Sequence, residues 1–293
     1  MSNIGFVGLG LMGSAMVNRL LDKGHTLTVL GNRSRPNIDA AVARGATEVT
    51  TARALASATD IIMLCVGTSD QVEALIEGDD GVIAGLKPDS VVIDFGTSLP
   101  ASTKKLGAAI EKAGGQLLDA PLGRTPAHAV DGLLNIMCAG NKSAFDAVEP
   151  VLNDLGENVF HLGELGSGHT IKLINNFFGM TVANAMAEAF AMADVQGVDR
   201  QALYDVMSAG PLHSGMMDFV KGYGVDGDPS QLAFAIKNAA KDVGYYSAMG
   251  KDAGATSIMS QSTLQALTEA SEAGKGDDMV SQMVDFYQQK LKS

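Results

Sequence analysis

Near its start the chain reads Gly8-Leu9-Gly10-Leu11-Met12-Gly13, a Gly-x-Gly-x-x-Gly pattern between the apolar run Ile4–Val7 and a segment with helical spacing, Met12–Lys23. In a dinucleotide-binding βαβ unit the first glycine makes the tight turn, the second admits the pyrophosphate, and the third lets helix and strand pack closely. The phosphates then lie at a helix N-terminus, which favours anions. Glycine turns are common, but this context predicts dinucleotide binding by Gly8, Gly10, Leu11, Met12 and Gly13.

The rest of the first half alternates short apolar runs with amphipathic segments, which is typical of βαβ units and a mainly parallel sheet. Predicted strands and helices follow in turn: Thr26–Leu30, Pro36–Arg44, Ile61–Val66, Val91–Asp94, Ala101–Ala113, Gln116–Asp119, Leu134–Ala139 and Lys142–Leu155. From about residue 162 the pattern is helical only, beginning with a long proline-free segment, Ile171–Val195. We therefore predict a doubly wound α/β Rossmann domain over residues 1–161 and an all-α domain over residues 162–293, entered through a long bridging helix.

The composition of the chain argues against several classes of ligand and partner. The chain has 293 residues, 46% of them hydrophobic and 18% charged, with a formal net charge of −12 and no basic run. This argues against nucleic acid as a partner and requires local positive groups for any anionic ligand. No apolar run reaches the ~18 residues of a membrane span, and no signal peptide is apparent. The two cysteines, Cys65 and Cys138, lie in apolar segments, and the five histidines show no metal-ligand spacing. We expect a cytoplasmic protein without a metal or a membrane partner.

The end of the second predicted strand bears on which dinucleotide is bound. Enzymes that use NAD carry an Asp or Glu there, which binds the ribose 2′-hydroxyl. This chain reads Leu30-Gly31-Asn32-Arg33-Ser34-Arg35, with no acid in the run. Arginines, a serine and an amide suit a 2′-phosphate, although Arg33 and Arg35 are equally explained as solvent-facing loop residues. We predict NADP, with NAD as the alternative, and contacts from Asn32, Arg33 and Ser34.

A second informative stretch is Lys172-Leu173-Ile174-Asn175-Asn176, just after Gly166-Ser167-Gly168. On a helix, residues four positions apart share a face, so Lys172 and Asn176 point the same way, with Asn175 one position off. A lysine beside an amide resembles a proton donor with a hydrogen-bonding partner, but alone it is more often a solvated lysine near a helix start.

In combination, these motifs resemble the β-hydroxyacid dehydrogenases, the group of 3-hydroxyisobutyrate and tartronate-semialdehyde reductases. The resemblance covers essentially the whole chain and rests on Gly8–Gly13, Asp94-Phe95-Gly96-Thr97-Ser98-Leu99-Pro100, Asp119-Ala120-Pro121-Leu122, Gly166–Gly168, Lys172 with Asn175-Asn176, and Lys241-Asp242. It implies a Rossmann domain followed by a helical domain that builds homodimers or homotetramers. It further implies that Lys172 is the catalytic acid/base, that Asn176 orients the substrate, and that Thr97 and Lys241 line the nicotinamide and substrate pocket.

Two departures from the family pattern bear on the substrate. Gly96 precedes Thr97 where the family usually has a serine, and the loop after Pro121 reads Leu122-Gly123-Arg124-Thr125 in place of the common Val-Ser-Gly-Gly. A Gly-Arg-Thr loop resembles that of sulfolactaldehyde reductases, a subgroup that carries a similar Lys-Leu-Ile-Asn-Asn run and favours NADH with an acid at the strand end.

The resulting hypothesis is the reduction of a short anionic aldehyde, 3-sulfolactaldehyde, to 2,3-dihydroxypropane-1-sulfonate. Lys172 is the acid in reduction or the base in oxidation. The anion is held by the N–H groups of glycines 123, 166 and 168, by the start of the Lys172 helix, and by the guanidinium of Arg124 with Thr125. The predicted substrate contacts are Gly123, Arg124, Thr125, Asn175, Asn176 and Lys241.

Three alternatives remain open from sequence. Arg124 has the plain alternative of facing solvent or pairing with Asp131. The substrate has the alternative of a carboxylate semialdehyde: succinic, tartronate or methylmalonate semialdehyde. In a different class of protein, the chain is a non-catalytic homologue that binds nucleotide and oligomerises.

Overall fold

The computed structural model describes residues 1–31 and 34–292, and Asn32, Arg33 and Ser293 lie outside the described part. The chain separates into two compact units, Met1–Lys172 and the residues from Leu173 onwards. The sequence expectation puts this boundary at residue 161. The difference arises because the first turn of the long helix is hydrogen-bonded to Asp119, and therefore belongs to the first unit.

The first unit is built on one mixed sheet. Within the described residues its strands are β1 (Asn3–Val7), β2 (Thr26–Leu30), β3 (Thr47–Val49), β4 (Ile61–Leu64), β5 (Val91–Asp94), β6 (Gln116–Asp119), β7 (Leu122–Gly123), β8 (Leu134–Gly140) and β9 (Gly156–His161). The strand order is β3-β2-β1-β4-β5-β6-β8-β7, and β9 pairs with β8. Strands β3 to β6 in this order are parallel, whereas β8 runs antiparallel to both β6 and β7. The expected doubly wound α/β fold is confirmed.

Helices connect these strands. They are α1 (Leu11–Asp22), α2 (Pro36–Ala43), α3 (Ala52–Ala58), α4 (Ser69–Glu77), α5 (Val82–Gly85), α6 (Pro100–Lys112), α7 (Pro126–Asp131) and α8 (Lys142–Leu155). Three of them begin with a proline, whose fixed φ suits the first helical position. The side chains of Thr51, Thr68 and Asn141 cap α3, α4 and α8 by accepting backbone N–H bonds.

The core of the first unit lies on both faces of the sheet. Strand β4 shows this, because alternate side chains of a strand point to opposite faces. Ile61 and Met63 pack into one apolar cluster with the residues of β1 and α1, whereas Ile62 and Leu64 pack into another with those of α3 and α6. A central parallel strand buried on both faces is therefore apolar at every position.

The second unit is helical. Helix α9 (Ser167–Val195) begins in the first unit and continues into the second, where it is followed by α10 (Arg200–Ser208), α11 (Gly215–Gly224), α12 (Ile236–Asp252), α13 (Ile258–Ala270) and α14 (Met283–Lys290). The core packs side chains of α9 against those of α11, α12 and α13, among them Met180, Phe190, Val220, Val243 and Leu267. The rings of Phe177 on α9 and Tyr246 on α12 stack with centroids 4.2 Å apart. In the described part of the chain, no helix has the length and apolar character needed to cross a membrane.

Candidate functional site

The glycine loop has the geometry that its pattern predicts. Gly8 adopts a φ of +96°, and a Cβ there would lie 2.2 Å from the carbonyl oxygen of Cys65. A Cβ on Gly13 would lie 1.9 Å from the carbonyl oxygen of Gly8, so strand and helix pack closely at that point. In contrast, no described atom comes within 4 Å of a Cβ built on Gly10, the position at which the pyrophosphate must approach the backbone. The loop therefore fits a bound dinucleotide.

The glycine loop also lies at the place in the sheet where open α/β folds bind their ligands. The strand order reverses at β1, because β2 lies on one side of it and β4 on the other. In open α/β sheets, ligands bind outside the carboxyl ends of the strands at such a switch point. Helix α1 starts directly after Gly10, has no side-chain cap, and contains no acid in its first turn. Its N-terminal N–H groups are thus directed towards the loop for an anion.

A carboxylate from a neighbouring strand lies beside the end of β2, where the sequence analysis expected none. A Cβ on Gly31 would lie 2.3 Å from Oε1 of Glu48, which comes from the neighbouring strand β3. The guanidinium of Arg35 donates to both oxygens of Glu48, at 2.6 and 2.9 Å, and to Asp39 at 2.7 Å. This hydrogen bonding holds the pKa of Glu48 below its usual range. The run Leu30–Arg35 has no acid of its own, but strand pairing brings the carboxylate of Glu48 across from β3.

Three further cofactor contacts are predicted directly after β2, at Asn32, Arg33 and Ser34. Ser34 is exposed and directly precedes Arg35. The predicted cofactor contacts Asn32 and Arg33 lie outside the described residues.

The loop after β5 is held by Asp94. Its carboxylate accepts hydrogen bonds from the N–H of Gly96 at 2.8 Å and from the hydroxyl of Ser98 at 2.7 Å. The half-buried Thr97 lies between these two anchored residues. A Cβ on Gly96 would lie 2.9 Å from Oδ1 of Asp94, so a larger residue there would require this carboxylate to shift.

The start of helix α9 is bound to the sheet by Asp119, the last residue of β6. One carboxylate oxygen accepts the N–H of Gly166 and the other that of His169, both at 2.7 Å. A Cβ on Gly168 would lie 2.2 Å from the carbonyl oxygen of Met137, so this glycine permits close packing. The expectation that Gly166 donates its N–H to an anionic substrate is wrong, because Asp119 already accepts that bond. Helix α9 begins at the carboxyl edge of the sheet and carries Lys172 in its second turn.

His169 is fully buried beside this anchor. Its Nδ1 lies 2.8 Å from the hydroxyl of Thr103, and its Nε2 lies 3.6 Å from the carboxylate of Asp94. Burial raises the pKa of Asp119 above its usual range, although His169 and the two backbone donors oppose the shift. His169 therefore links the loop after β5 to the first turn of α9 and has a packing role.

The predicted substrate loop follows β6. Gly123 belongs to β7 and pairs with Asn135, and the hydroxyl of Thr125 lies 2.7 Å from Nδ1 of His128. Arg124 adopts a φ of +74°, the left-handed region, which costs of order 1 kcal/mol or more outside glycine and often marks a functional site. Its guanidinium donates to the carbonyl of Leu133 at 2.7 Å and pairs with Glu157 at 2.5 Å. Glu157, and not Asp131, is thus its acidic partner.

The predicted site residues of the second unit lie on two helices. On α9, Asn176 is buried and Asn175 is exposed. Asn176 donates from Nδ2 to Oδ2 of Asp242 on α12 at 2.6 Å, and Nζ of Lys241 lies 3.0 Å from the other oxygen of the same carboxylate. The structure therefore brings Asn175, Asn176 and Lys241 together around Asp242, a residue to which sequence reasoning gave no role.

Other reactive groups show no second site. Burial raises the pKa of both cysteine thiols to about 12, which disfavours the reactive thiolate form. Among residues 1–31 and 34–292, no cluster of three or more His, Cys, Asp or Glu side chains is arranged to hold a metal ion.

Taken together, this fold and this site define a class: Rossmann-type oxidoreductases with a helical second domain. A family model for the NAD binding domain of 6-phosphogluconate dehydrogenase matches residues 3–163. A second, for the NAD-binding domain of NADP-dependent 3-hydroxyisobutyrate dehydrogenase, matches residues 166–287. The chain belongs to the β-hydroxyacid dehydrogenase family, whose members use NAD or NADP to act on hydroxyl groups. The expected family, enzyme class and NAD(P) cofactor are confirmed at this level.

Similar proteins carry names of this kind. The NAD-dependent L-serine dehydrogenase of Pseudomonas aeruginosa is 33% identical over 207 residues, which are 71% of this chain and 69% of that one. The 2-(hydroxymethyl)glutarate dehydrogenase of Eubacterium barkeri is 28% identical over 98% of this chain and 95% of its own. The crystal structure of 3-hydroxyisobutyrate dehydrogenase from Salmonella typhimurium superposes with a TM-score of 0.85 at 27% identity, over 98% of this chain and all of that one.

The match to other relatives is partial. The chain spans 40% of the length of the cytokine-like nuclear factor N-PAC of Xenopus tropicalis, with 34% identity over 215 residues.

Proposed function

We propose that this chain reduces a short aldehyde carrying an anionic group to the corresponding alcohol, with NADPH preferred over NADH. The observation that carries this proposal is the placement of Lys172 on a helix whose first turn is bonded to Asp119 at the carboxyl edge of the Rossmann sheet. When bound, the cofactor supplies a hydride to the carbonyl carbon. One proton must then reach the carbonyl oxygen, so aldehyde, NAD(P)H and a proton give alcohol and NAD(P)⁺.

In this proposal Lys172 holds that proton at Nζ, as a protonated lysine does at neutral pH, and donates it to the developing alkoxide. In the oxidative direction the neutral amine accepts the proton from the alcohol. Asn176 and Lys241 would orient the substrate, and Thr97 would contact the nicotinamide. These roles are carried over from the family resemblance, and the geometry of each unit is compatible with them.

For the anionic group we propose a sulfonate, which makes the substrate 3-sulfolactaldehyde and the product 2,3-dihydroxypropane-1-sulfonate. A sulfonate presents three oxygens around a tetrahedral sulfur, and the fork of Arg124 with Thr125 offers donors for them. The pair between Arg124 and Glu157 does not prevent this, because Glu157 is 51% exposed and such surface pairs contribute only about 0–1 kcal/mol. The left-handed backbone at Arg124 supports a specific role for this side chain.

The second candidate is a carboxylate semialdehyde, and the names of the similar proteins favour it. L-serine, 2-(hydroxymethyl)glutarate and 3-hydroxyisobutyrate each pair a hydroxyl group with a carboxylate. A non-catalytic nucleotide-binding homologue is the alternative outside enzymes. We also expect a cytoplasmic homodimer or homotetramer, in keeping with the family resemblance.

A single assay separates these candidates. The wild-type protein is supplied with NADPH or NADH and, in turn, with 3-sulfolactaldehyde, tartronate semialdehyde, methylmalonate semialdehyde or succinic semialdehyde. The highest kcat/KM for 3-sulfolactaldehyde is the expected result. A higher value for any carboxylate would replace the sulfonate by that class. Cofactor binding without turnover of any aldehyde would favour the non-catalytic alternative.

A further inference from the structure

The buried carboxylate of Asp242 links the proposed substrate contacts of the second unit. Asp242 is 2% exposed. One of its oxygens accepts from Asn176 at 2.6 Å, and the other lies 3.0 Å from the ammonium group of Lys241, with no other hydrogen-bond partner among the described residues. A carboxylate buried this deeply is costly unless its charge is compensated, and both of its partners here are proposed to contact substrate.

This carboxylate fixes the orientation of the Asn176 amide. An ionised carboxylate only accepts hydrogen bonds, so the NH₂ end of the amide must face Asp242. The Oδ1 end is therefore directed away from Asp242. Oδ1 accepts from the side-chain nitrogen of Asn175 at 3.4 Å, a long contact that leaves acceptor capacity on the oxygen.

The two helices that carry this pair are held in register. One residue beyond Asn176 on α9, Phe177 stacks on Tyr246, which lies one turn beyond Asp242 on α12. The rings are nearly parallel, at 6°. Stacking of this kind reduces the freedom of the amide to move away from Asp242, so that its orientation is set before substrate binds.

We propose that Asp242 is a positioning residue that makes Asn176 a hydrogen-bond acceptor, and that the enzyme therefore selects aldehydes with a hydroxyl group on the neighbouring carbon. This inference rests on the proposed function, because it assumes that Asn176 contacts the substrate. It divides the candidate substrates in a new way. 3-Sulfolactaldehyde and tartronate semialdehyde carry that hydroxyl, whereas succinic and methylmalonate semialdehyde do not.

The test uses two pairs of aldehydes that differ only in the hydroxyl: 3-sulfolactaldehyde with 3-oxopropane-1-sulfonate, and tartronate semialdehyde with malonate semialdehyde. The readout is the ratio of kcat/KM within each pair, which is independent of the anion. For wild type the hydroxylated member should be favoured about tenfold, as expected for one hydrogen bond. In Asp242→Asn the ratio should fall towards one. A neutral amide at position 242 both donates and accepts hydrogen bonds, so it can pair with either the NH₂ or the Oδ1 of Asn176.

Three controls separate positioning from structure. Asp252→Asn, at the exposed end of the same helix, should leave both ratios unchanged. The melting temperature and NADPH affinity of Asp242→Asn show whether the variant is folded. The double variant Asn176→Ala/Asp242→Asn should be no worse than Asn176→Ala alone on the hydroxylated aldehydes, because Asp242 acts through Asn176.

The outcomes are distinguishable. If wild type reduces these aldehydes but does not discriminate within either pair, or if Asp242→Asn keeps the wild-type ratio, the inference is overturned and the proposed function stands. Equal loss on both members of a pair with a lowered melting temperature means that Asp242 is only structural. If folded wild-type protein reduces none of the four aldehydes, the proposed function fails and the inference falls with it.

Discussion

The carboxylate of Asp119 accepts a 2.7 Å hydrogen bond from the backbone N–H of Gly166, across 47 residues of sequence. With its second oxygen it accepts the N–H of His169. These are two of the N–H groups that a helix start leaves without an intrahelical partner. A side chain at the end of β6 therefore caps α9 in place of a local capping residue, and fixes the turn that precedes Lys172 to the edge of the sheet.

We expect Asp119→Asn to lower the free energy of unfolding by about 1–3 kcal/mol, because an amide offers one acceptor oxygen to two N–H groups and leaves one of them buried without a partner. Urea titration at neutral pH measures the change. Asp60→Asn is the matched control, because Asp60 forms an exposed pair with Lys87 and such changes stay within about 0.5 kcal/mol. Equal stability of the two variants would contradict the capping role.

The difference in stability between wild type and Asp119→Asn should depend on pH, with a sign that follows from the pKa of Asp119. Burial raises the folded-state pKa of Asp119 above its ordinary value, so the folded state binds this proton more tightly than the unfolded state. The part of the stability that comes from binding this proton is therefore full below the unfolded pKa and is lost as the pH rises through the folded pKa, whereas the two accepted N–H bonds remain. Because Asp119→Asn lacks this ionisation, the stability difference between wild type and variant should shrink as the pH rises above the ordinary pKa of an aspartate. A difference that grows instead would mean that the pKa is lowered.

Lys172→Ala should lower kcat by about 10²- to 10⁴-fold, the usual contribution of a general acid–base group, with little change in NADPH affinity. Steady-state kinetics and fluorescence titration of NADPH measure the two effects. Lys112→Ala, at the exposed end of α6, is the control. A Lys172→Ala enzyme that keeps more than about a tenth of wild-type kcat would exclude lysine as the proton donor.

Cofactor preference should depend on Glu48. We expect wild type to prefer NADPH and Arg33→Ala to raise the KM for NADPH more than that for NADH. Glu48→Gln removes a negative charge beside Gly31 and one partner of Arg35, so the NADPH to NADH ratio of kcat/KM should rise about fivefold. The matched variant Asp39→Asn also removes one acidic partner of Arg35 but leaves the carboxylate of Glu48 beside Gly31, and should have a smaller effect. A wild-type preference for NADH would show that Glu48 replaces the missing acid at the strand end.

Local patterns were sufficient to predict much of this structure. The strands Thr26–Leu30, Val91–Asp94 and Gln116–Asp119 and the helix Lys142–Leu155 have the predicted bounds, because apolar runs, prolines and caps are local signals. Strand β9 was not predicted, since Gly156–His161 alternates weakly and is defined by pairing with β8. Helix α11 was missed because glycines lie at both of its ends and inside it.

The candidate site also has features that local sequence patterns predict and others that they do not. The positions of Lys172 and Asn176 on one helix follow from spacing alone. The contacts of Glu48 with Gly31, of Asp119 with Gly166, and of Asp242 with Asn176 join residues that are distant in sequence, so no local pattern contains them. A buried Asp at the end of a predicted strand was the one available signal, since such a carboxylate must find donors.

The guanidinium of Arg124 pairs with the exposed carboxylate of Glu157. If the guanidinium holds a sulfonate, Arg124→Ala should lower kcat/KM for 3-sulfolactaldehyde by about 2–4 kcal/mol, the cost of removing one partner of a desolvated charge pair. Part of the loss should appear in kcat, because the anchor positions the aldehyde for hydride transfer. Arg124→Lys should recover only part of it, since a point charge does not reproduce the fork.

Glu157→Gln gives the opposite test, because Glu157 competes with the substrate for the same guanidinium. Removing that competitor should lower the KM for 3-sulfolactaldehyde without changing kcat, and should have no effect in an Arg124→Ala background. The gain is limited to about 0–1 kcal/mol, the usual worth of an exposed pair. If Arg124→Ala and Glu157→Gln both keep wild-type activity and lower only the melting temperature, the two side chains form a structural pair. The anion is then bound elsewhere.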